Sequence, residues 1–243
     1  MVINGVLDAD FACLPEADVK LEKPQNCVVA GWGWSGSSFE NQLQEKLVRV
    51  IPDEVCPRFD ANFNKYTAAH CSGTGACVGD FGGPLICAEK NSKTGVEEPV
   101  VRGIMSHTKG CENKPMIYTD TQGYLEWIRQ KTAVIAAQDS GTRPTISPTT
   151  TDRPLTAAPG EPLLPSGASC QNPIDGITRI VGGQTAKNGE WDWIVQFPQI
   201  GCGGSVIAKN WVLTAAHCCK PFALSQLMTN FGDHNIGKDY KYQ

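Results

Sequence analysis

The sequence predicts an all-β fold built from small antiparallel barrels. Apolar and β-branched runs are short, as at residues 27–30 and 47–51, and Gly, Pro, Asn and Ser residues separate them. Short strands divided by turn residues are typical of β-barrels. The 243 residues are 41% apolar, which is enough to bury either one large core or two small ones.

Composition narrows the classes of function and compartment. A net charge of −4, 19% charged residues and no basic run argue against nucleic-acid binding. No apolar stretch reaches the length of about eighteen residues that could span a membrane. Eleven cysteines without a Cys-x-x-Cys pair predict disulfides formed in an oxidising compartment, and neither a metal nor another cofactor is expected. Residues 1–10 lack the segments of a signal peptide, so we expect a secreted protein whose native N-terminus lies further upstream.

A glycine-rich motif organises the first half of the chain. Residues 76–85 read Ala-Cys-Val-Gly-Asp-Phe-Gly-Gly-Pro-Leu, after Cys-Val-Val-Ala-Gly-Trp-Gly at 27–33 and before Gly-Ile-Met-Ser at 103–106. In order and approximate spacing, these motifs resemble those of the trypsin-like serine proteases. The resemblance covers about residues 11–129 and implies the second barrel of the chymotrypsin-like fold, closed by a short amphipathic helix at residues 123–131.

The resemblance places Phe81 in the slot of the nucleophilic serine. Glycines around that slot let backbone N–H groups converge on a developing oxyanion, and Gly79 is expected to form part of such a hole. A phenylalanine has no hydroxyl proton for a base to remove and no lone pair for attack. Asp80 matches the carboxylate that pairs with the amine freed when members of this family are activated. The motif therefore predicts a protease fold without its nucleophile.

Three residues occupy slots that shape the substrate pocket in the family. Gly75 lies six positions before Phe81, where an aspartate would select Lys or Arg substrates. Ser106 and Thr108 match the pocket wall, and the Thr108 side chain is expected to narrow the entrance. Trypsin-like specificity is therefore not expected.

The second half of the chain resembles the beginning of a domain of the same family. Residues 179–183 read Arg-Ile-Val-Gly-Gly, which resembles an activation site cleaved between Arg179 and Ile180. Residues 213–218 read Leu-Thr-Ala-Ala-His-Cys, so the resemblance makes His217 the general base. No strand resembles the Asp-Ile-Ala-Leu motif of the third triad member, although Asp8 and Asp10 lie near the corresponding junction.

A second copy of the histidine motif occurs in the first half. His70 lies in Thr-Ala-Ala-His-Cys, only eleven residues before Phe81, whereas the family takes its base from the first barrel. A catalytic triad is defined by the relative positions of its three side chains and not by the local sequence around one of them. We therefore expect His70 to be a solvent-facing loop residue beside a disulfide.

Residues 132–169 differ in composition from both halves. An Ala-rich start is followed by six prolines among Thr and Ser, which predicts an extended, solvated linker. Residues 145–156 could carry O-glycans in a secreted protein, or the segment could be a plain flexible spacer.

The cysteines match disulfide slots of the family. The resemblance implies four pairs: Cys27–Cys87, Cys56–Cys71, Cys77–Cys111 and Cys202–Cys218. Cys13 and Cys170 match the two ends of a further bridge. In a tandem protein each would seek a partner outside this chain, whereas in a permuted chain they could pair with each other and leave Cys219 over.

These features divide the chain into a second-barrel module at 1–131, a linker at 132–169, and an activation site with a partial first barrel at 170–243. This order is the reverse of that in one protease domain. We favour a fragment of a tandem protease, in which the end of one domain precedes the start of the next. A circular permutant is the alternative.

The predicted function is that of a serine-type endopeptidase family member, inactive in this chain because the Ser-His-Asp set is incomplete. The alternative is a non-catalytic homologue that acts as an extracellular binding or regulatory module. Either would contact protein or peptide substrates or cascade proteins. An intact Gly-Asp-Ser-Gly-Gly-Pro motif downstream of Gln243 would restore an enzyme. The tandem arrangement predicts that cleavage after Arg179 leaves the amides of residues 79–83 unchanged, whereas a permuted arrangement predicts their protection.

Overall fold

A computed structural model describes residues 11–66, 68–75, 77–108, 110–111, 114–139, 170, 183–220, 229–232 and 234–236. Asp8, Asp10, Arg179 and Ile180 lie outside the described residues, as does most of the predicted linker. None of the described helices has both the length and the apolar character needed to cross a membrane.

The first region forms a closed six-stranded antiparallel barrel. Its strands run in the order β1-β4-β5-β6-β3-β2, and β2 pairs back with β1 to close it. The strands are β1 (Gln25–Gly31), β2 (Gln44–Ile51), β3 (Ala69–Ser72), β4 (Pro84–Lys90), β5 (Glu97–Thr108) and β6 (Met116–Asp120). The predicted all-β class with a chymotrypsin-like barrel is thereby confirmed.

A helix follows the barrel and is longer than expected. After a single 3-10 turn at Gln122–Tyr124, α1 runs over Leu125–Asp139. Residue 131 is the predicted end of this module, but the helix continues eight residues into the predicted linker. The Ala-rich composition there explains the extension, because alanine has the highest helix propensity.

The second region forms an open four-stranded sheet in the order β10-β9-β8-β11. Its elements are β8 (Ile194–Phe197), β9 (Cys202–Ala208), β10 (Trp211–Leu213), the short helix α2 (Ala216–Cys219) and β11 (Asn230–Phe231). The preceding strand, β7 (Gln184–Thr185), does not join this sheet. It pairs with β2 of the barrel instead, with Thr185 opposite Gln44.

The two regions share one hydrophobic core. Strand β1 is buried on both faces, because its successive side chains point alternately to opposite sides. Cys27 and Val29 contribute to a cluster that includes barrel residues of β2, β4, β5 and β6. Val28 and Ala30 pack instead in a cluster that contains residues of the second region, including Trp193, Val195, Phe197 and Val206. The barrel and the second sheet are therefore packed against each other.

Hydrogen bonds also join the two regions. The Ala12 N–H donates to the carbonyl of Val206 at 2.8 Å, and the Ala186 N–H donates to the carbonyl of Leu43 at 2.9 Å. Backbone groups of one region thus form hydrogen bonds with backbone groups of the other. Buried backbone N–H and C=O groups require such partners.

A buried carboxylate lies at the same contact. Glu45 of β2 is only 4% exposed. It accepts hydrogen bonds of 2.8 Å from the Gln184 side-chain amide and from the Trp191 indole N–H. Both donors come from the second region, so the barrel presents a buried acceptor that this region satisfies.

Five disulfides use ten of the eleven cysteines, all of which are described. Four join the pairs implied by the family resemblance: Cys27–Cys87, Cys56–Cys71, Cys77–Cys111 and Cys202–Cys218. The fifth joins Cys13 to Cys170, with 5.1 Å between their Cα atoms. Cys219 is left as a free thiol. This is the pattern expected when the two regions of one chain pair with each other.

The expectation for His70 is wrong. It does not lie in a solvent-facing loop but in β3, opposite Tyr118 of β6, and it is 5% exposed. Its Nε2 atom is 3.3 Å from a carboxylate oxygen of Asp120. Because β3 pairs with β2 on one side and β6 on the other, its residues are enclosed within the barrel wall.

Candidate functional site

Phe81 lies in the loop that joins β3 to β4, where two successive turns follow Cys77. The Asp80 N–H donates to the Cys77 carbonyl at 3.1 Å, and the Gly83 N–H donates to the Asp80 carbonyl at 2.9 Å. Gly79 has φ +101°, a conformation that residues with side chains rarely adopt. The glycines of the motif are therefore required by the shape of the loop itself.

The second sheet lies directly against this loop. The Gly203 N–H of β9 donates to the Phe81 carbonyl at 2.7 Å. A Cβ atom on Gly82 would collide with the Thr214 hydroxyl and with the Gly203 carbonyl. The close approach of the two regions therefore depends on glycine at position 82.

Phe81 and His217 are in direct contact. Their ring centroids are 5.8 Å apart and their planes are inclined by 77°, an edge-to-face arrangement. His217 lies on α2, which the Cys202–Cys218 disulfide ties to β9. The structure thus brings the expected base to the expected nucleophile slot, where it meets an apolar ring instead of a hydroxyl.

The environment of His217 favours its neutral form. Partial burial lowers the pKa of the imidazole, and positive charge on His107 and Lys220 lowers it further. Within the described ranges, no carboxylate forms an ion pair or hydrogen bond with His217. Among the residues that the structure describes, none is therefore an acidic partner that could fix the tautomer of this ring, as in a triad.

Asp80 turns into the protein beneath the loop. Its carboxylate accepts hydrogen bonds from the Gly33 N–H at 2.8 Å and the Cys77 N–H at 3.1 Å. A Cβ atom on Gly31 or Gly33 would collide with this carboxylate. Enclosure raises the pKa of Asp80 to about 6, although the two N–H groups oppose the rise.

A cavity of about 330 Å³ adjoins Asp80. Gly33, Glu45 and Lys46 contribute to its lining on the barrel side, and Gly183 lines it from the second region. No described residue forms an ion pair with Asp80. The predicted cleavage site lies outside the described residues, but Gly183, only three positions after Ile180, borders the cavity.

The expected pocket base has no room for a side chain at position 75. A Cβ atom on Gly75 would lie 2.8 Å from the Cβ of Met116 and 3.0 Å from the Tyr118 hydroxyl. Met116 is fully buried in the barrel core. Sequence reasoning missed this residue. Its position two before Tyr118 on β6 could have revealed it, because alternate residues of a strand share a face.

The pocket wall has two distinctive residues. Ser106 sits at a β-bulge, where the pairing of β5 with β6 shifts between Met105 and His107. The Thr108 hydroxyl, a single donor, lies within hydrogen-bond distance of the carbonyls of both Gly110 and Pro115, so it braces the turn that follows β5. The expectation that Thr108 narrows an entrance therefore stays a prediction, while its hydroxyl has a defined structural role.

A polar cluster next to this wall was also missed. The Asp60 carboxylate lies 3.0 Å from His107 Nε2 and accepts a hydrogen bond of 2.9 Å from the Tyr66 hydroxyl. The Asp60 side chain is 4% exposed and that of His107 is 38% exposed. No motif signals this cluster, because its members meet only after two 3-10 turns, Cys56–Arg58 and Phe63–Lys65, fold against β5.

Parts of this chain are similar in sequence to known proteins. Transmembrane protease serine 9 of Rattus norvegicus is 28% identical over 257 residues, which cover 91% of this chain and 24% of that protein. Coagulation factor XII of Bos taurus is 38% identical over 133 residues, 50% of this chain and 21% of that protein. Chymotrypsin-C of Mus musculus is 35% identical over 133 residues, 49% of this chain and 47% of that protein. The chain therefore spans less than half of each of these relatives.

The family comparison covers both regions described above. The Trypsin family model matches residues 5–128 and 180–243, which leaves out the end of α1 and the linker. Together the two matched ranges contain more than half of the chain. This chain belongs to the trypsin family.

Proposed function

We propose that this chain is a non-catalytic member of the trypsin family that acts as an extracellular binding or regulatory module. One observation carries the proposal: the ring of Phe81 occupies the slot next to His217. A base in that position has no hydroxyl to deprotonate, so acyl transfer cannot begin. The ligands would be proteins or peptides, the class on which proteases of this family act.

The expected size of the effect supports the loss of catalysis. The removal of a triad nucleophile costs on the order of 10⁴ to 10⁶ in kcat. Two roles remain proposals, as features of a scaffold inherited from active relatives. Gly79 would donate to an oxyanion, and Asp80 would pair with an Ile180 amine.

We infer that the order of segments comes from a tandem arrangement of trypsin-like domains, and that the Cys13–Cys170 bridge, which the permuted alternative predicts, forms because both regions are present in one chain. A single alignment to one relative covers 91% of this chain but only 24% of that protein. Because an alignment preserves chain order, that relative also contains the end of one trypsin-like domain followed by the start of another. Secretion belongs to the same proposal and is supported by the five disulfides, which form in oxidising compartments. A zymogen-like cleavage after Arg179 is proposed from the resemblance of residues 179–183 to an activation site.

A second candidate function is peptidase activity in a longer protein. His217 supports it, because the bridged helix α2 presents a neutral imidazole towards the nucleophile slot. That activity would need a serine-bearing loop from another barrel. This chain on its own would therefore not have it.

Covalent labelling tests the proposal. We expect no reaction of the oxidised full chain with a fluorophosphonate probe, before or after cleavage at Arg179. Phe81→Ser should also stay unlabelled, because no described carboxylate orients His217. Phe81→Leu is the matched control for changes in packing, and mouse chymotrypsin-C provides a control for the probe. Labelling of the unsubstituted chain at any residue would refute the proposal.

A further inference from the structure

An exposed aromatic surface lies beside the loop that carries Phe81. It consists of Trp34, Phe39 and Val78, which are 39%, 58% and 51% exposed. The rings of Trp34 and Phe39 are in edge-to-face contact, with their centroids 5.5 Å apart. Large apolar side chains that lie together on a surface mark a site where another polypeptide segment binds.

This aromatic surface is held in place by the loop. The Trp34 N–H donates to the Val78 carbonyl at 2.9 Å. A Cβ atom on Gly79 would lie 3.1 Å from Cε1 of the Phe39 ring, so this ring rests directly on the glycine. Rings that are already fixed lose little conformational entropy when they bind, which suits them to contact another segment.

The last described residues of the chain lie next to the aromatic surface. The Ile236 N–H donates to the Asn41 carbonyl at 2.8 Å. Asn41 is two residues from Phe39, and two residues span at most about 7 Å. Residues 237–243 follow Ile236, and seven extended residues span up to about 24 Å. They are therefore long enough to cross the whole surface.

The composition of residues 237–243 also fits the aromatic surface. They read Gly-Lys-Asp-Tyr-Lys-Tyr-Gln, which supplies two aromatic rings and two lysines. Aromatic rings attract each other in edge-to-face and offset arrangements. The cavity that Trp34 borders has more carboxylates than cations in its described lining. Its charged residues are Asp80, Glu40, Glu45 and Lys46. Lysines are therefore favoured beside this surface.

We propose that residues 237–243 dock on the aromatic surface of the same chain, with their tyrosines against the rings of Trp34 and Phe39. Tethering favours this occupant, because a segment attached within reach has an effective concentration of about millimolar. Val78 lies in the same loop as Phe81, so a partner polypeptide that binds beside this loop competes with the chain's own segment. This inference goes beyond the proposed function and does not depend on it.

Photo-cross-linking of the oxidised full chain tests the contact. Tyr240 is replaced by benzoylphenylalanine, and the products are mapped by peptide mass spectrometry. We expect cross-links within one chain to residues 34–39, at a yield that does not depend on protein concentration. Trp34→Ser combined with Phe39→Ser should abolish these cross-links. Trp127→Ser is the matched control, because it removes an exposed tryptophan from α1, and it should leave the yield unchanged.

Two cross-linking results would overturn the proposal. Products of twice the chain mass, with a yield that rises with concentration, would show that a second copy covers the aromatic surface. Cross-links confined to residues outside this surface would show that the segment lies elsewhere.

Hydroxyl-radical footprinting gives a second measurement in which the aromatic surface itself is unchanged. Oxidation of Trp34 and Phe39 should increase when Tyr240→Ser and Tyr242→Ser are combined, because the segment then has no rings to cover them. Oxidation of Trp127 should stay the same. Equal oxidation of Trp34 and Phe39 in the unsubstituted chain and the double variant would also overturn the proposal.

Discussion

Replacing Asp80 with asparagine is expected to remove a pH-dependent loss of stability of about 2 to 3 kcal/mol between pH 4 and pH 7. Enclosure raises the pKa of Asp80 to about 6 in the folded chain, above its ordinary value of 3.8. The folded state therefore holds this proton more tightly than the unfolded state. The contribution of Asp80 is most favourable below the unfolded pKa and is lost as the pH rises through the folded pKa.

The measurement is the free energy of unfolding of the oxidised full chain in denaturant at several pH values. The difference in the free energy of unfolding between the unsubstituted chain and Asp80→Asn should change between pH 4 and pH 7. Asp18→Asn, at an exposed position, is the matched control and should leave the pH dependence unchanged. If the free energies of unfolding of the unsubstituted and Asp80→Asn chains changed with pH in the same way, the ionised Asp80 carboxylate would not destabilise the folded state.

Arg102→Met is expected to lower the free energy of unfolding by about 3 to 5 kcal/mol. The Arg102 side chain is fully buried in β5. Its guanidinium pairs with both carboxylate oxygens of Glu89 and donates to the side chain of Gln122 at 3.0 Å. Without the Arg102 cation, the Glu89 carboxylate would be left buried without its ionic partner. Burial already raises the pKa of Glu89, and Arg102 opposes that rise.

A double substitution separates the pair from the loss of packing. Arg102→Met combined with Glu89→Leu removes both charges, and the chain should recover most of the lost stability. Arg49→Met, at an exposed position on β2, should change stability by less than about 0.5 kcal/mol. Denaturant unfolding gives all three values. If the double variant were no more stable than Arg102→Met, the stranded charge would not be the cause.

Sequence motifs predicted the family, the fold class and the region in which a site should be sought. The motifs are informative because the conformation of this loop allows few residue types. Gly79 has positive φ, and there is no room for a side chain at Gly82. The same strings identified Phe81 and His217, whose rings are in contact across the two regions.

Other features depend on which strands meet, and no local pattern encodes that. His70 has the spelling of a catalytic motif, yet strand pairing buries it in the barrel wall. Met116 beside Gly75 and Asp60 beside His107 are likewise contacts between segments far apart in the sequence. The favoured tandem order also did not anticipate the Cys13–Cys170 bridge, which the permuted alternative did.

The disulfide pattern determines what a cut at Arg179 would produce. Cys13 and Cys170 both precede the cut, and Cys202 and Cys218 both follow it. None of the five bridges spans the cut, so the products would be two polypeptides held together by the shared core and by hydrogen bonds. Folding would then become a bimolecular equilibrium governed by mass action. Dilution would separate the cleaved pair but would leave the uncut chain intact.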